Sequence, residues 1–457
     1  MSVVAKVCTV DQLFQPKLNI SENIKGKLVI PEYQRPYCWQ PKQIKKLLDD
    51  IKQHASETPD IPYYLGSIIV HRKEDNSLNI IDGQQRITTL SILQHFTNQP
   101  TSNLTFVSPI SHNNIKNNLQ WLRETYPNNQ ALEIDAKALE LTLVVTQSED
   151  DAYRFFETQN TGGIRLGGPD IIKAHHLREI AKDKQSFYAK KWEQLGQLDR
   201  IVIALLRGRY WQTLAMKKLP SHRQPTLIRE CIVDELAEKT NKGSDIRFNR
   251  IKTMTDVQGC VSQEYVNGYE VHQPLNAGIN SIEWLAYFKQ LHHKYWSHPD
   301  FPPVSGYDEF INWLKKLQGC GYLQNLFETC LLIYISRFGE YQLAIAAKKI
   351  FRVVYSRRVS NQKAVRENSI YAFVKETPVL DWIALSYTPE QCFDYLDSFE
   401  LKLEGSNLDN KDNKNSVKRR FVISAIDQFG LTTSEDNPKA DFANDLTVHI
   451  TGLGREQ

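Results

Sequence analysis

The chain has no run approaching the ~18 consecutive apolar residues that a membrane-crossing helix needs. Its N-terminus, MSVVAKVCTVDQLF, lacks the basic start and apolar core of a secretion signal. A cytoplasmic location and no membrane partner are therefore expected. The seven cysteines (Cys8, Cys38, Cys231, Cys260, Cys320, Cys330, Cys392) contain no C-x-x-C pair, which argues against a zinc site and a disulfide framework and for reduced, mostly buried thiols. No G-x-x-x-x-G-K-[ST] occurs, and Gly162-Gly163 with Gly167-Gly168 does not fit G-x-G-x-x-G, so two common routes to nucleotides are excluded. The vicinal pairs His175-His176 and His292-His293 have no third His or Cys at ligand spacing, and neighbouring helical side chains point about 100° apart. Net charge is only +3, which neither announces a nucleic-acid binder nor opposes one.

What is present is organised around Leu78 to Leu93, LNIIDGQQRITTLSIL, in a chain of 457 residues that is 41% hydrophobic and long enough for two to three domains. The first five residues of the stretch alternate and branch like a strand. The last eight read as the opening of a helix that runs to about Phe96, and Asp82-Gly83-Gln84-Gln85-Arg86 makes the corner between them. Such a corner aims unpaired backbone N–H groups and the positive end of the helix dipole at one spot, which suits phosphate oxygens. Arg86 adds a fixed cation, Gly83 a backbone conformation closed to other residues, and Gln84 and Gln85 amide donors and acceptors; Thr88 belongs to the same set. A polyphosphate is the ligand these residues suggest. A structural turn capped by Asp82, with Arg86 on a solvated face, would need none.

Upstream, Ile30 to Trp39 reads IPEYQRPYCW. Pro36 pushes Arg35 out of helical geometry, so Tyr33 to Tyr37 is an extended loop. Pro41 opens a helix whose Ile44, Leu47, Leu48 and Ile51 recur at helical spacing. Gln34 and Arg35 read as a second clamp on the same phosphates, with a salt-bridge role for Arg35 as the plain alternative; Tyr33, Tyr37 and Trp39 read as core aromatics. Cys8 to Phe14 reads as a strand and a capped helix start, GSIIVH from Gly66 pairs with LNIID as a hairpin, Asn113 to Leu122 looks helical, and Leu139 to Thr146 is a further strand. Ser148-Glu149-Asp150-Asp151 begins a helix that ends near Asn160-Thr161-Gly162-Gly163, and Pro169 opens the next, carrying Asp170, Lys173, His175 and His176.

Together, in this order and at this spacing, DGQQR, IPEYQRPYCW, the hairpin and FFETQNTGGIRLGGPDIIKAHHL (Phe155 to Leu177) resemble the N-terminal domain of the GmrSD family of modification-dependent (type IV) restriction systems, over about the first 180 residues. The resemblance implies a ParB/sulfiredoxin-like nucleotide-binding fold, with Gln34 and Arg35 beside the Arg-bearing corner and with Glu157, Asn160 and Lys173 against the nucleotide pocket as metal or phosphate contacts. The Asn-Thr-Gly-Gly turn needs no ligand on its own account.

From Ala181 onward apolar residues recur at helical spacing in segment after segment, so a mainly helical second part follows, with Gly259 to Pro274 as an irregular loop. Basic clusters at Arg207, Arg209, Lys217 and Lys218 and at Arg352, Arg357 and Arg358 are interleaved with aromatics, a combination that suits nucleic-acid phosphates and bases; a third lies at Lys418, Arg419 and Arg420. Solvated helix faces explain most such clusters. VKRRFVISAID (Val417 to Asp427) and DLTVHI (Asp445 to Ile450) resemble the segments leading into the HNH-type nuclease domain of fused family members. There a Glu-His-Ile and a following proline appear; here Val448 replaces the glutamate and Gly452 follows, which puts intrinsic nuclease activity in doubt.

The expectation is an α+β chain: a ParB-like domain over 1–180, a helical domain over 181–403, a polar linker over 404–416 and a tail over 417–457. It would bind, and hydrolyse, a nucleoside triphosphate with a divalent cation, Mg2+, as the sensor subunit of an anti-phage restriction system, with DNA and a separate nuclease as partners and homo-oligomerisation left open. Arg86 and Arg35 would neutralise charge on the transferred phosphoryl group, and Asp82 would orient water or bind the metal. The rivals are a DNA nuclease with a ParB-like active site and a binding module without turnover.

Overall fold

Alternating stretches in the first 150 residues build one mixed sheet: β1 (Val3–Thr9), β2 (Leu18–Ser21), β3 (Ile24–Val29), β4 (Tyr63–Arg72), β5 (Ser77–Asp82) and β6 (Leu139–Thr146), in spatial order β1-β6-β4-β5-β3-β2. β4 and β5 form the expected antiparallel hairpin, while β6 runs parallel to β4 and β3 parallel to β5. Ile68 and Val70, Leu78 and Ile80, and Leu141, Leu143 and Val145 share one apolar core. The residues between them, Ile69, Ile81 and Val144, are buried outside that cluster, as strands covered on both faces require. The computed structural model describes residues 3–15, 18–21, 24–32, 34–101, 104–127, 132, 134–148, 168–255, 257–297, 305–361, 364–408 and 416–454.

Local chemistry sets the helix starts. Thr9 and Gln12 close a capping box on the short α1 (Val10–Leu13). Pro41 is the first residue of α2 (Pro41–Glu57), which buries Ile44 and Leu48. α3 (Gln84–Phe96) is buried on nearly every side, so it shows no amphipathic stripe and its polar residues must find partners inside. α4 (Pro109–Thr125) begins four residues before the expected Asn113, because the Ser108 hydroxyl accepts from the Ser111 N–H and Pro109 suits the first helical position. α5 (Gly168–Arg178) opens at the expected Pro169 region and is followed by α6 (Lys182–Gln194). The acidic turn from Ser148, the aromatics behind it, Glu157, Asn160 and the Gly162-Gly163 corner lie on or beyond the edge of the described residues.

Two compact units divide the chain, Met1–Gln194 and Leu195–Gln457. The second is mainly helical: α7 (Asp199–Tyr210), α8 (Pro225–Val233), α9 (Ile279–His292), α10 (Tyr307–Lys316), α11 (Gly321–Phe338), α12 (Leu343–Ser360), α13 (Glu367–Glu376), α14 (Val379–Leu385), α15 (Pro389–Asp397), α16 (Val417–Phe429) and α17 (Phe442–Gly452). The loop expected over Gly259 to Pro274 is corrected: β7 (Phe248–Thr255) and β8 (Val261–Gly268) form a regular antiparallel hairpin there. Its side chains are mostly exposed, so no apolar alternation betrayed it in the sequence. The segments likened to a nuclease lead-in belong to the helical core, where Phe429 of α16 stands 6.1 Å from Phe310 and 5.6 Å from Phe351, ring centre to ring centre.

Candidate functional site

The strand-to-helix corner is as sharp as its sequence requires. Gly83 caps α3 in the left-handed region at φ +92°, and a Cβ there would stand 2.7 Å from Cγ1 of Ile68. No side chain caps the helix, so its first-turn N–H groups keep no intrahelical acceptor.

The extended loop beside the corner, from Gln34 to Gln40, has few backbone partners of its own, and side-chain amides satisfy it instead. Gln85 accepts from the Cys38 N–H at 2.9 Å and donates to the Pro36 carbonyl at 3.1 Å. Asn114 donates to the Tyr37 carbonyl and Asn118 to that of Trp39, both at 2.8 Å. Ser111 accepts from the Tyr37 N–H. Tyr37 is fully buried, its hydroxyl 2.9 Å from that of Thr89, and burial pushes its phenol up to about 12, so it stays neutral. Trp39 packs against the same core, whereas Tyr33 lies outside the described residues. Gln34 ties the loop to the sheet by donating to the Ile81 carbonyl at 2.8 Å, and its own carbonyl accepts from Lys173 at 3.2 Å.

Pinned in this way, the loop walls a cavity of about 40 Å³. Gln34, Arg35 and Gln84 line it, together with Glu32, Lys190 and Glu193. Oε1 of Gln84 and Oε2 of Glu32 are buried with no hydrogen-bond partner among the described residues. Buried polar atoms are nearly always partnered, so these two mark where a ligand atom or water belongs. Lys190 and Glu193 carried no sequence signal of their own, since α6 reaches the corner from about a hundred residues downstream, whereas Glu32 lies inside IPEYQRPYCW beside Gln34 and Arg35.

The other expected residues sit elsewhere. Arg86 does not line the cavity; its guanidinium donates to the Leu65 and Ser67 carbonyls, both at 2.7 Å, and stands 3.4 Å from Asp82. Those carbonyls belong to the point where the β4–β6 ladder skips between Tyr64 and Ser67, at Gly66 with φ +93°. Arg86 is thus a brace for irregular backbone. Asp82 and Gly83 lie off the lining as well, and Thr88 is buried in α3 with its hydroxyl unpartnered among the described residues. Lys173 is buried and 3.5 Å from Glu193; burial pulls its pKa down and Glu193 opposes that. It holds the loop and α6 together from behind. Asn160 is outside the described residues.

Most of the basic clusters are internal. Arg352 is buried and donates to the carbonyls of Leu396, Asp397 and Phe399. Arg358 donates to the Gly319 carbonyl at 2.5 Å, Arg419 to those of Leu408 and Glu435, and Arg209 pairs with Glu235 and donates to the carbonyls of Val271 and Gln273. These cations brace helix ends and loops.

Residues 17–177 match the family model described as GmrSD restriction endonuclease, N-terminal domain. Residues 184–414 match that of a family of unknown function, DUF7834. No curated protein matches the chain, and no described helix is long and apolar enough to cross a membrane.

Proposed function

From the premise that this chain belongs to the family of unknown function spanning residues 184–414 and carries a GmrSD-type N-terminal domain over residues 17–177, we propose that it is the nucleotide-binding sensor component of a DNA restriction system, working with a separate nuclease. The supporting observation is the convergence of the cations Arg35 and Lys190 on one small cavity beside an uncapped helix N-terminus, where the unpartnered oxygens of Gln84 and Glu32 would face a bound cation or water. A cavity of about 40 Å³ has room for about three water-sized atoms. That matches the oxygens of one terminal phosphoryl group, so base and sugar lie beyond it. Arg35 and Lys190 supply the countercharge and the α3 terminus the hydrogen bonds that such a group takes.

Mg2+ fits these residues in its usual manner, by one or two carboxylates plus phosphate oxygens. Glu32 and Glu193 are the carboxylates on the lining, and no group of three His, Cys, Asp or Glu among the described residues would hold an ion alone. Bound there, the ion would neutralise charge on the phosphates. Arg86 acts in this reading by holding the β4 backbone, and Arg35 by touching the ligand.

The test is a thermal-shift series with ATP, GTP, CTP and UTP, each with Mg2+. A ligand at a hundred times its Kd adds about 2.7 kcal/mol, which is several degrees of melting temperature. One nucleotide is expected to shift the wild type and to lose that shift in Arg35→Ala and Lys190→Ala. No shift with any nucleotide, or equal shifts in both variants, refutes the proposal. Phosphate release with and without DNA then separates a hydrolysing sensor from a simple binder.

A further inference from the structure

The second unit has a cleft of its own. α7, α11 and Val365 border an open cleft of about 610 Å³ lined by Arg200, Arg207, Tyr322 and Asn325, which shares Arg207, Tyr322 and Asn325 with a smaller recess that reaches Trp211, Lys218 and the start of α13. That size is ordinary for a small-molecule site.

Two polar groups there lack hydrogen-bond partners among the described residues, one buried and one half-buried. The Trp211 indole N–H is buried with no hydrogen-bond acceptor among the described residues, on a side chain only 7% exposed. Arg207 makes no side-chain hydrogen bond or ion pair among the described residues, although burial disfavours its charge. Glu328 and Glu367 lie near enough to favour that charge, but each is already taken: Glu328 by Arg200 and His292, Glu367 by Ser221 and His222. A half-buried guanidinium on a cleft wall with no hydrogen bond or ion pair of its own among the described residues is free to take an anionic ligand. The N-terminus of α11 opens on the same space. Gly321 is its first residue, Cys320 gives no side-chain cap, and a Cβ on Gly321 would meet nothing within 4 Å.

We propose that this cleft binds a mononucleotide, with its phosphate between Arg207 and the α11 N-terminus and its base against Tyr322, within reach of the Trp211 N–H. Anion donors and a flat ring side by side fit a phosphate joined to an aromatic base. A polynucleotide would require a continuous track of exposed cations. Here the cations on the lining are Arg200, which is paired with Glu328, Arg207 and the exposed Lys218, while Arg209 and Arg358 are turned onto main-chain carbonyls.

The experiment uses the full chain carrying Arg35→Ala, so that failure of the site proposed in the first unit leaves this one readable. AMP, GMP, CMP and UMP are titrated by calorimetry, with adenosine, inorganic phosphate and oligo(dT) as comparison probes. One or more monophosphates is expected to bind, phosphate to compete, and adenosine to bind far more weakly. Arg207→Met is expected to weaken binding roughly ten- to hundredfold without lowering the melting temperature, since the guanidinium makes no hydrogen bond or ion pair among the described residues that the substitution would break. Lys218→Ala, at an exposed position that leaves the fold intact, is expected to weaken it severalfold. Absence of binding by all four monophosphates, unchanged affinity in both variants, equal binding of adenosine, or oligo(dT) binding tighter than every monophosphate would each overturn the assignment.

Discussion

Replacing Arg86 by alanine should damage the sheet before it touches any ligand. Its guanidinium makes two hydrogen bonds of 2.7 Å to the Leu65 and Ser67 carbonyls. A hydrogen bond from a charged donor contributes about 1.5–3 kcal/mol net. With the side chain about a quarter exposed, water takes over part of the lost solvation, so about 2–4 kcal/mol for the pair is the reasoned figure. The Asp82 contact at 3.4 Å adds at most about 1 kcal/mol, since both groups face solvent in part. Gly66 tests the same brace from the other side. Its φ of +93° disfavours alanine, and the new Cβ would lie 2.6 Å from Nη1 of Arg86. Gly66→Ala alone should therefore lose about 1 kcal/mol in backbone strain plus much of the guanidinium's contribution, but only the strain once Arg86 is already alanine. The double-mutant cycle should show a coupling of about 1–2 kcal/mol. Urea denaturation of the full chain gives the stabilities, and hydrogen exchange over residues 63–96 localises the loss to β4 and α3. Strictly additive losses, or an Arg86→Ala loss below about 1 kcal/mol, would refute the brace and return Arg86 to the role of a free cation at the corner.

Gly83→Ala, at φ +92° with Ile68 2.7 Å from the added carbon, should destabilise by about 1–3 kcal/mol in the same urea assay; a neutral substitution would mean that the corner is not strained. In the second unit, burial pushes the Glu328 carboxyl up, but hydrogen bonds from His292 and Arg200 outweigh it and hold the group below its usual 4.5. Its stabilising contribution is thus complete above pH 4.5 and fades as pH falls through the lower folded value. Glu328→Gln should lose about 3 kcal/mol at neutral pH and flatten the acid limb of stability against pH, and an unchanged acid limb would remove Glu328 from the account. For the thiols, burial raises Cys8 to about 11 and Cys392 to about 12, and Cys320 and Cys330 are buried too. At pH 8 an aromatic disulfide reagent should label the exposed Cys260 first, then Cys38, whose pKa is also raised by burial, and reach the four buried thiols only in denaturant. Rapid labelling of all seven in the folded protein would contradict the packing.

Much of the first unit was legible because its signals are short-range. Alternation gave the β4–β5 hairpin and β6, Pro41 gave the start of α2, and Asp82-Gly83 gave the turn into α3. The illegible parts have partners far along the chain. Gln85 reads as a ligand donor, but its amide is occupied by Cys38 and Pro36, 47 and 49 residues away. Lys190 and Glu193 join the cavity from a helix whose sequence says nothing about phosphates. The β7–β8 hairpin was missed for the opposite reason: with most side chains in solvent, nothing selected an apolar alternation.

In the first unit the sequence by itself determined the β4–β5 hairpin, β6, the start of α2 and the sharp glycine corner between β5 and α3, since those choices depend on side chains a few positions apart. Only the tertiary structure decided where each arginine's charge goes. Arg86, Arg352 and Arg358 are turned onto carbonyls, while Arg35 and Arg207 face cavities. The physical reason is that a guanidinium on a long flexible stem takes whichever acceptor the packing of distant segments brings within about 3 Å, and no local pattern of residues records that.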